Sequence, residues 1–131
     1  MKKIKKALIS VSDKKNLNDL LKVLAKYKID LISSGGTFKE IKRLKFKCLE
    51  VAEYTNSPEI LGGRVKTLHP KIHAGILSKR KNRSHQNDLR KNNFEEIDLV
   101  IVNFYPFKKT LKQTNNHMKI IENIDIGGPT M

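Results

Sequence analysis

Apolar and polar residues alternate along the chain in blocks that predict strands and helices in turn. Residues 7–11 form a short apolar run with the length of a buried strand. Leucines then recur at spacings of three and four within residues 15–28, which predicts a helix with one apolar face, capped by Ser12 or Asp13. The alternation continues with a strand at residues 29–32, a helix at 37–44 and a strand at 47–51. This part of the chain predicts a β-α-β-α-β unit.

The second half of the chain contains the longest apolar run, residues 97–104. Because its centre is unbroken by polar residues, it predicts a central parallel strand that is covered on both faces. The preceding residues 54–77 are rich in Gly and Pro and predict mostly loop. Residues 83–93 and 118–124 predict two further helices. Such alternation predicts an α/β fold with a parallel sheet flanked by helices.

Length and composition indicate one globular domain. The chain has 131 residues, of which 38% are hydrophobic and 31% are charged, a balance typical of proteins that bury an ordinary core. No apolar run approaches the roughly 18 to 20 residues that span a bilayer, so we expect a cytoplasmic protein without a membrane partner. Cys48 is the single cysteine, which excludes an intrachain disulfide and a cysteine-based zinc site. We expect its side chain to fill the core.

The formal net charge of +14 admits two interpretations. It can mark a nucleic-acid-binding protein, or a solvated surface that also attracts a small anionic ligand. The lysines are spread along the chain, and the five Phe and three Tyr are not interleaved with the basic clusters as a base-stacking surface requires. We therefore favour the small anion and do not expect nucleic acid as a partner.

Candidate chemistry is concentrated in three polar loops. Residues 10–14 and 33–37 each follow a predicted strand and precede a predicted helix, whereas residues 62–70 combine glycines with two cations, a threonine and a histidine. In an open parallel sheet, ligands bind beyond the carboxyl ends of the strands, and backbone N–H groups at a helix start attract phosphate. Arg64 and Lys66 add positive charge. These loops predict one site for a phosphate ester, without the glycine patterns of nucleoside triphosphate or dinucleotide sites.

Some of these residues also have simpler interpretations. His69 and His73 are four residues apart, as in helical metal sites, but Pro70 lies between them and a third ligand is not evident. No metal is therefore expected, and a role in loop structure or in a ligand hydrogen bond fits better. Arg64 and Lys66 taken alone would be ordinary surface cations.

Five motifs resemble, in order and over essentially all of the chain, those of the inosine monophosphate (IMP) cyclohydrolase family. They are residues 10–14, 34–37, 63–70, 103–107 and 122–130. The family's domain is the N-terminal part of a bifunctional purine biosynthesis protein. The resemblance implies a three-layer, methylglyoxal-synthase-like α/β fold with a mainly parallel sheet. It also implies dehydrative closure of 5-formamidoimidazole-4-carboxamide ribotide to IMP, the last step of purine synthesis, with a nucleotide ligand and no cofactor or metal.

The resemblance also assigns residues to the site. Lys66 would stabilise negative charge on the formyl oxygen, Asp125 would act as acid or base near the carboxamide, and Tyr105 would orient or donate a proton. The remaining residues would bind the substrate through its phosphate or its base edge: Ser12, Asp13, Lys14, Ser34, Gly35, Gly36, Thr37, Arg64, Val65, Thr67, Asn103, Ile126 and Gly127.

Family members continue past the Gly-Gly-Pro-Thr motif into a helix with a further proton-transferring lysine, and later into a folate-dependent formyltransferase domain. Relative to them, residues 1–131 correspond to a C-terminally incomplete cyclohydrolase domain without the formyltransferase domain. We expect this chain to be much less active than one extended through that helix. A non-catalytic nucleotide-binding or regulatory domain of the same fold, or an inactive fragment, is the alternative. The family also implies a homodimer.

Overall fold

The chain is built around a parallel sheet. The computed structural model describes residues 3–104, 112, 116–122, 124 and 126–131. The strands of this part are β1 (Lys6–Val11), β2 (Asp30–Ser33), β3 (Leu49–Glu50) and β4 (Leu99–Asn103). They form one four-stranded sheet in the order β3-β2-β1-β4, and each pairing is parallel. The predicted parallel sheet is confirmed.

Helices pack against this sheet. In the described residues they are α1 (Leu17–Lys26), α2 (Gly35–Arg43), α3 (Val51–Thr55), α4 (Pro70–Leu77), α5 (Arg83–Lys91), α6 (His117–Glu122) and α7 (Gly127–Thr130). A short 3-10 turn covers Leu61–Gly63. None of these described helices has the length and apolar character that crossing a bilayer requires.

Side chains of β1 alternate between two hydrophobic clusters, one on each face of the sheet. Ala7, Ile9 and Val11 pack with side chains of α1 and α2, whereas Leu8 packs on the opposite face with α3 and α4. Full burial of one large apolar side chain contributes about 1.5–3 kcal/mol. β1 is thus buried from both sides, and the helix, sheet and helix layers form the predicted three-layer α/β fold.

The prediction for residues 97–104 is wrong in one respect. The strand is parallel, but β4 lies at one edge of the described sheet, where it pairs with β1. The residues from Leu99 to Val102 are only half-buried. An unbroken apolar run indicates how much of a strand is buried, but it does not indicate which strands pair with it. The central position is held by β1, which pairs with both β2 and β4.

The prediction that residues 54–77 are mostly loop is also wrong at their end. The last eight residues form α4, in which Pro70 occupies the first turn, where a helix needs no backbone N–H donor. The strand predicted at residues 47–51 is reduced to the two residues of β3, because α3 begins at Val51.

The other helices agree with the sequence pattern to within a few residues. α1, α2, α5 and α6 correspond to the helices predicted at residues 15–28, 37–44, 83–93 and 118–124. The predicted cap of α1 is wrong, because its N-cap is Asn16, whose side chain makes no capping hydrogen bond. Asp13 instead accepts a hydrogen bond from the Lys15 amide (2.9 Å) in the turn before the helix.

Gly75 lets α4 pack closely against the segment that leads into β4. Its carbonyl accepts a hydrogen bond from the Ile97 amide (2.9 Å). A Cβ atom at this position would lie 2.7 Å from the Glu95 carbonyl oxygen and 3.1 Å from the Ile97 side chain. Only glycine fits this contact, so α4 is held at a fixed distance from the sheet.

Candidate anion-binding site

A cavity of about 520 Å³ lies at the carboxyl edge of the sheet, beyond the ends of β1, β2 and β4. It brings together loops that are far apart in the sequence. Most of the predicted site residues line it: Ser12, Lys14, Ser34, Gly35, Gly36, Thr37, Arg64, Lys66, Thr67, Asn103, Ile126 and Gly127. The strand-end loops therefore surround one shared space.

The ammonium group of Lys66 lies against two glycines with a left-handed backbone. Its Nζ is 3.0 Å from the position that a Cβ atom of Gly35 would occupy, and 3.3 Å from the corresponding position at Gly63. Gly35 has a φ of 54° and Gly63 a φ of 85°, values that glycine adopts at little cost. The absent side chains leave the space that the ammonium fills at the first turn of α2.

Lys14 brings a second ammonium group to the start of α2. Its Nζ is 3.8 Å from the Cβ position of Gly36, and it donates a hydrogen bond to the Ser12 carbonyl (3.3 Å). The N-cap residue of α2, Ser34, makes no side-chain capping hydrogen bond. The two ammonium groups and the backbone N–H groups thus bring positive charge to the start of α2. Such a position stabilises a bound anion.

Asn103, the last residue of β4, uses its side chain to hold the loop that follows β1. Its Oδ1 accepts hydrogen bonds from the Ser12 amide (2.6 Å), the Ser12 hydroxyl (2.9 Å) and the Asp13 amide (3.1 Å). Its Nδ2 donates to the Asp13 carbonyl (2.9 Å). The amide group that the family resemblance assigns to the base edge is therefore engaged with the protein in this structure.

Thr37 uses its hydroxyl to hold the start of α2 against the end of β1. The hydroxyl donates to the Val11 carbonyl (2.9 Å) and accepts from the Val11 amide (3.1 Å). The residue is buried, and a hydroxyl has a single proton to donate. Because that proton is already donated to β1, the expected hydrogen bond from the Thr37 hydroxyl to a phosphate is not available in this arrangement.

Residues near the C-terminus form another side of the cavity. A Cβ atom at Gly127 would lie 2.8 Å from Thr67 Oγ1, so the start of α7 contacts the loop of residues 62–70. Ile121, Ile124 and Ile126 also line the cavity, and all three side chains are exposed. They give the cavity an apolar side.

Four predicted site residues are not among those that line the cavity in the described part of the chain. Tyr105 and Asp125 are outside the described residues, and their roles stay predictions. Asp13 does not line the cavity and contributes backbone groups to the contact with Asn103. Val65 does not line it either, because it forms an isolated antiparallel bridge with Ile60. That bridge shapes the loop that carries Lys66.

His69 and His73 belong to the start of α4. His69 Nδ1 accepts a hydrogen bond from the Lys71 amide (3.1 Å) and caps the helix, while His73 Nδ1 lies 3.2 Å from the His69 carbonyl oxygen. Across the described part of the chain, no group of three His, Cys, Asp or Glu side chains could hold a metal ion. These contacts match the structural role expected for the two histidines.

Cys48 packs against the hydrophobic cluster of α1 and α2, in agreement with the expected core position. Burial raises the pKa of its thiol to about 12. A thiol that stays protonated at neutral pH is a poor nucleophile, which argues against a catalytic role for this residue.

Several lining residues have no assigned role in the sequence-based prediction. They are Ser10, Val11, Gly62, Gly63, Ile121, Ile124 and Gly128. Gly62 and Gly63 belong to the loop of residues 62–70, which the sequence analysis already links to an anion site. Ile121 and Ile124 carry no such signal, because an apolar residue on a predicted helix indicates core packing.

We expect Gly35→Ala to weaken the binding of inorganic phosphate by about tenfold, equivalent to about 1.4 kcal/mol. The added methyl group would displace the Lys66 ammonium, whose Nζ is 3.0 Å from the Cβ position. Gly62→Ala is the matched control, because Gly62 also has a left-handed backbone but its Cβ position has no heavy atom within 4 Å. Phosphate titration followed by NMR measures both affinities, and equal losses would contradict the role given to Gly35.

Comparison with known proteins defines the class to which this fold and site belong. Residues 16–130 match the MGS-like domain family, and the chain belongs to this family. The crystal structure of ForH has the same fold, with a TM-score of 0.81 and 29% sequence identity, over 97% of this chain and 65% of that chain.

Curated relatives are more similar in sequence. The bifunctional purine biosynthesis protein PurH of Prochlorococcus marinus (strain MIT 9301) is 56% identical over 126 residues, which are 95% of this chain and 24% of the relative. PurH of Acetivibrio thermocellus is 51% identical over 129 residues, which are 98% of this chain and 25% of the relative. The chain thus spans about a quarter of the length of the relatives it matches.

Proposed function

We propose that this chain is the IMP cyclohydrolase unit of a purine biosynthesis enzyme and closes the second ring of the purine. The observation that carries the proposal is the meeting of Lys14, Lys66 and the start of α2 in one cavity. The PurH relatives, which are named as purine biosynthesis proteins, support the choice of substrate. A 5-phosphoribosyl ligand has the charge that this cavity requires.

The phosphate of the ligand would lie at the start of α2. Backbone N–H groups and the Lys14 ammonium face that point, and the Arg64 guanidinium, which also lines the cavity, can donate two parallel hydrogen bonds to phosphate oxygens. The apolar side formed by Ile121, Ile124 and Ile126 suits the flat face of a heterocycle. One ligand with an anionic end and a flat apolar end would occupy both the start of α2 and the apolar side of the cavity.

Ring closure forms a bond between the carboxamide nitrogen and the formyl carbon, and water leaves after proton transfer to the former formyl oxygen. Negative charge develops on that oxygen during the attack, and Lys66 is the proposed cation that stabilises it. A preorganised group of this kind contributes on the order of a hundredfold or more in rate. Asp125 and Tyr105 remain the proposed proton carriers, for which general acid–base catalysis contributes about 10²- to 10⁴-fold.

Titration with IMP tests the binding part of this proposal. We expect saturable binding by calorimetry that inorganic phosphate weakens by competition. Incubation with the formamido ribotide, followed by the absorbance of IMP, tests ring closure. Binding without ring closure under excess enzyme would favour a non-catalytic nucleotide-binding domain. Absence of IMP binding together with steeply salt-dependent binding of nucleic acid would contradict the proposal.

A further inference from the structure

Glu59 lies near Lys66 but is not among the residues that line the cavity, and ring closure assigns it no role. Its Oε2 is 3.2 Å from the Cβ position of Gly63, and Lys66 Nζ is 3.3 Å from the same point. The carboxylate and the ammonium therefore both approach the space that a side chain of Gly63 would occupy. A side chain at this glycine would separate the two charges.

The backbone explains why these two residues meet. Ile60 and Val65 form an antiparallel bridge, with the Ile60 amide donating to the Val65 carbonyl (3.2 Å) and the Val65 amide donating to the Ile60 carbonyl (3.3 Å). In an antiparallel pair, the residues just outside such a hydrogen-bonded pair lie directly opposite each other, and their side chains are close. Here those residues are Glu59 and Lys66, so the bridge aligns opposite charges as a cross-strand pair.

The electrostatic surroundings of Lys66 give this pair a consequence. The ammonium lies at the first turn of α2, where the helix dipole is positive, and Lys14 brings a second ammonium to the neighbouring Gly36. A cation in such surroundings is unfavourable unless an anion lies nearby. Glu59 provides negative charge from within the chain, close to Lys66.

We propose that Glu59 acts as the internal counterion of Lys66. Its carboxylate offsets part of the positive charge that Lys66 brings to the cavity. A phosphate that enters must compete with this carboxylate for Lys66, so Glu59 also reduces the binding of weakly charged anions. This inference rests on the proposed anion-binding function and names the residue that tunes it.

The interaction between the side chains of Glu59 and Lys66 can be tested without a ligand. Lys66 is acylated with trace acetic anhydride, and mass spectrometry gives its labelling rate relative to other lysines of the same sample. We expect Glu59→Gln to raise the rate for Lys66 by about threefold, a size typical of exposed charge pairs, because the amide removes the negative charge that attracts the ammonium. Glu59→Asp is expected to give a smaller increase, and Glu53→Gln, an exposed position on α3, none.

The consequence for binding is tested with inorganic phosphate. We expect Glu59→Gln to bind it more tightly by a similar factor, since the competing carboxylate is gone, whereas Glu53→Gln binds it like the parent chain. Unchanged labelling of Lys66 in Glu59→Gln would overturn the inference, as would weaker phosphate binding. If neither chain binds phosphate but the labelling rate still rises, the anion-binding function fails while the pairing of Glu59 with Lys66 stands.

Discussion

Lys66→Ala is expected to lower the rate of ring closure by about a hundredfold or more, the usual effect of removing a preorganised group that stabilises an oxyanion. The ammonium is held against Gly35 and Gly63 at the first turn of α2, and alanine removes it without adding bulk. The rate is measured with excess enzyme over the formamido ribotide in a single turnover, so that a slow chain still gives a value. IMP affinity, measured in parallel, separates a binding defect from a chemical one.

Lys71→Ala is the matched control for this experiment. Lys71 is on α4, only a few residues away in sequence, but its Nζ lies 4.6 Å from the centroid of the Tyr54 ring. Lys71 does not line the cavity. Lys71→Ala therefore removes one positive charge, as Lys66→Ala does, but at a different place in the structure. If both variants lose activity equally, net charge governs the rate and Lys66 is not a catalytic residue.

Asp98→Ala is expected to lower the free energy of unfolding by about 3 kcal/mol, as for other nearly buried carboxylates with several hydrogen bonds. The side chain is 4% exposed, and its Oδ1 lies 2.8 Å from Arg80 Nη1. Its Oδ2 accepts hydrogen bonds from the Lys5 amide (2.8 Å) and the Lys6 amide (3.1 Å). Alanine would leave these donors without the carboxylate that joins the start of β4 to the start of β1.

Asp30→Ala provides the comparison for Asp98. Asp30 is the first residue of β2, at the same end of the sheet, but it is exposed. We expect its replacement to change stability little, because exposed charges far from a network contribute little. Urea unfolding curves followed by circular dichroism give both values. A loss for Asp98→Ala no larger than that for Asp30→Ala would show that the carboxylate does not hold the two strands together.

The location of the site could be predicted because it depends on a rule of topology. Loops at the carboxyl ends of neighbouring parallel strands meet at one edge of the sheet, so residues 10–14 and 33–37 were expected to come together. The glycines of these loops could be expected from local chemistry, since glycine tolerates a positive φ and close approach.

The use of individual polar groups could not be predicted in the same way. Thr37 and Asn103 both looked like ligand-binding residues, yet the structure gives their side chains hydrogen bonds to the protein. A sequence states which donors and acceptors exist, but their partners depend on distances of a few tenths of an ångström. The pairing of Glu59 with Lys66 was missed for the same reason, because it requires the bridge between Ile60 and Val65.

The sequence by itself determined the alternation of strands and helices, the buried strand at residues 7–11, and the presence of a cationic, glycine-containing loop. These features depend on periodicity and on the local conformational freedom of each residue. Only the tertiary structure decided that β4 lies at the edge of the described sheet, that α4 replaces a predicted loop, and that Lys14 and Lys66 meet at the start of α2. Such contacts join residues distant in sequence, and their energies come from packing and charge in three dimensions.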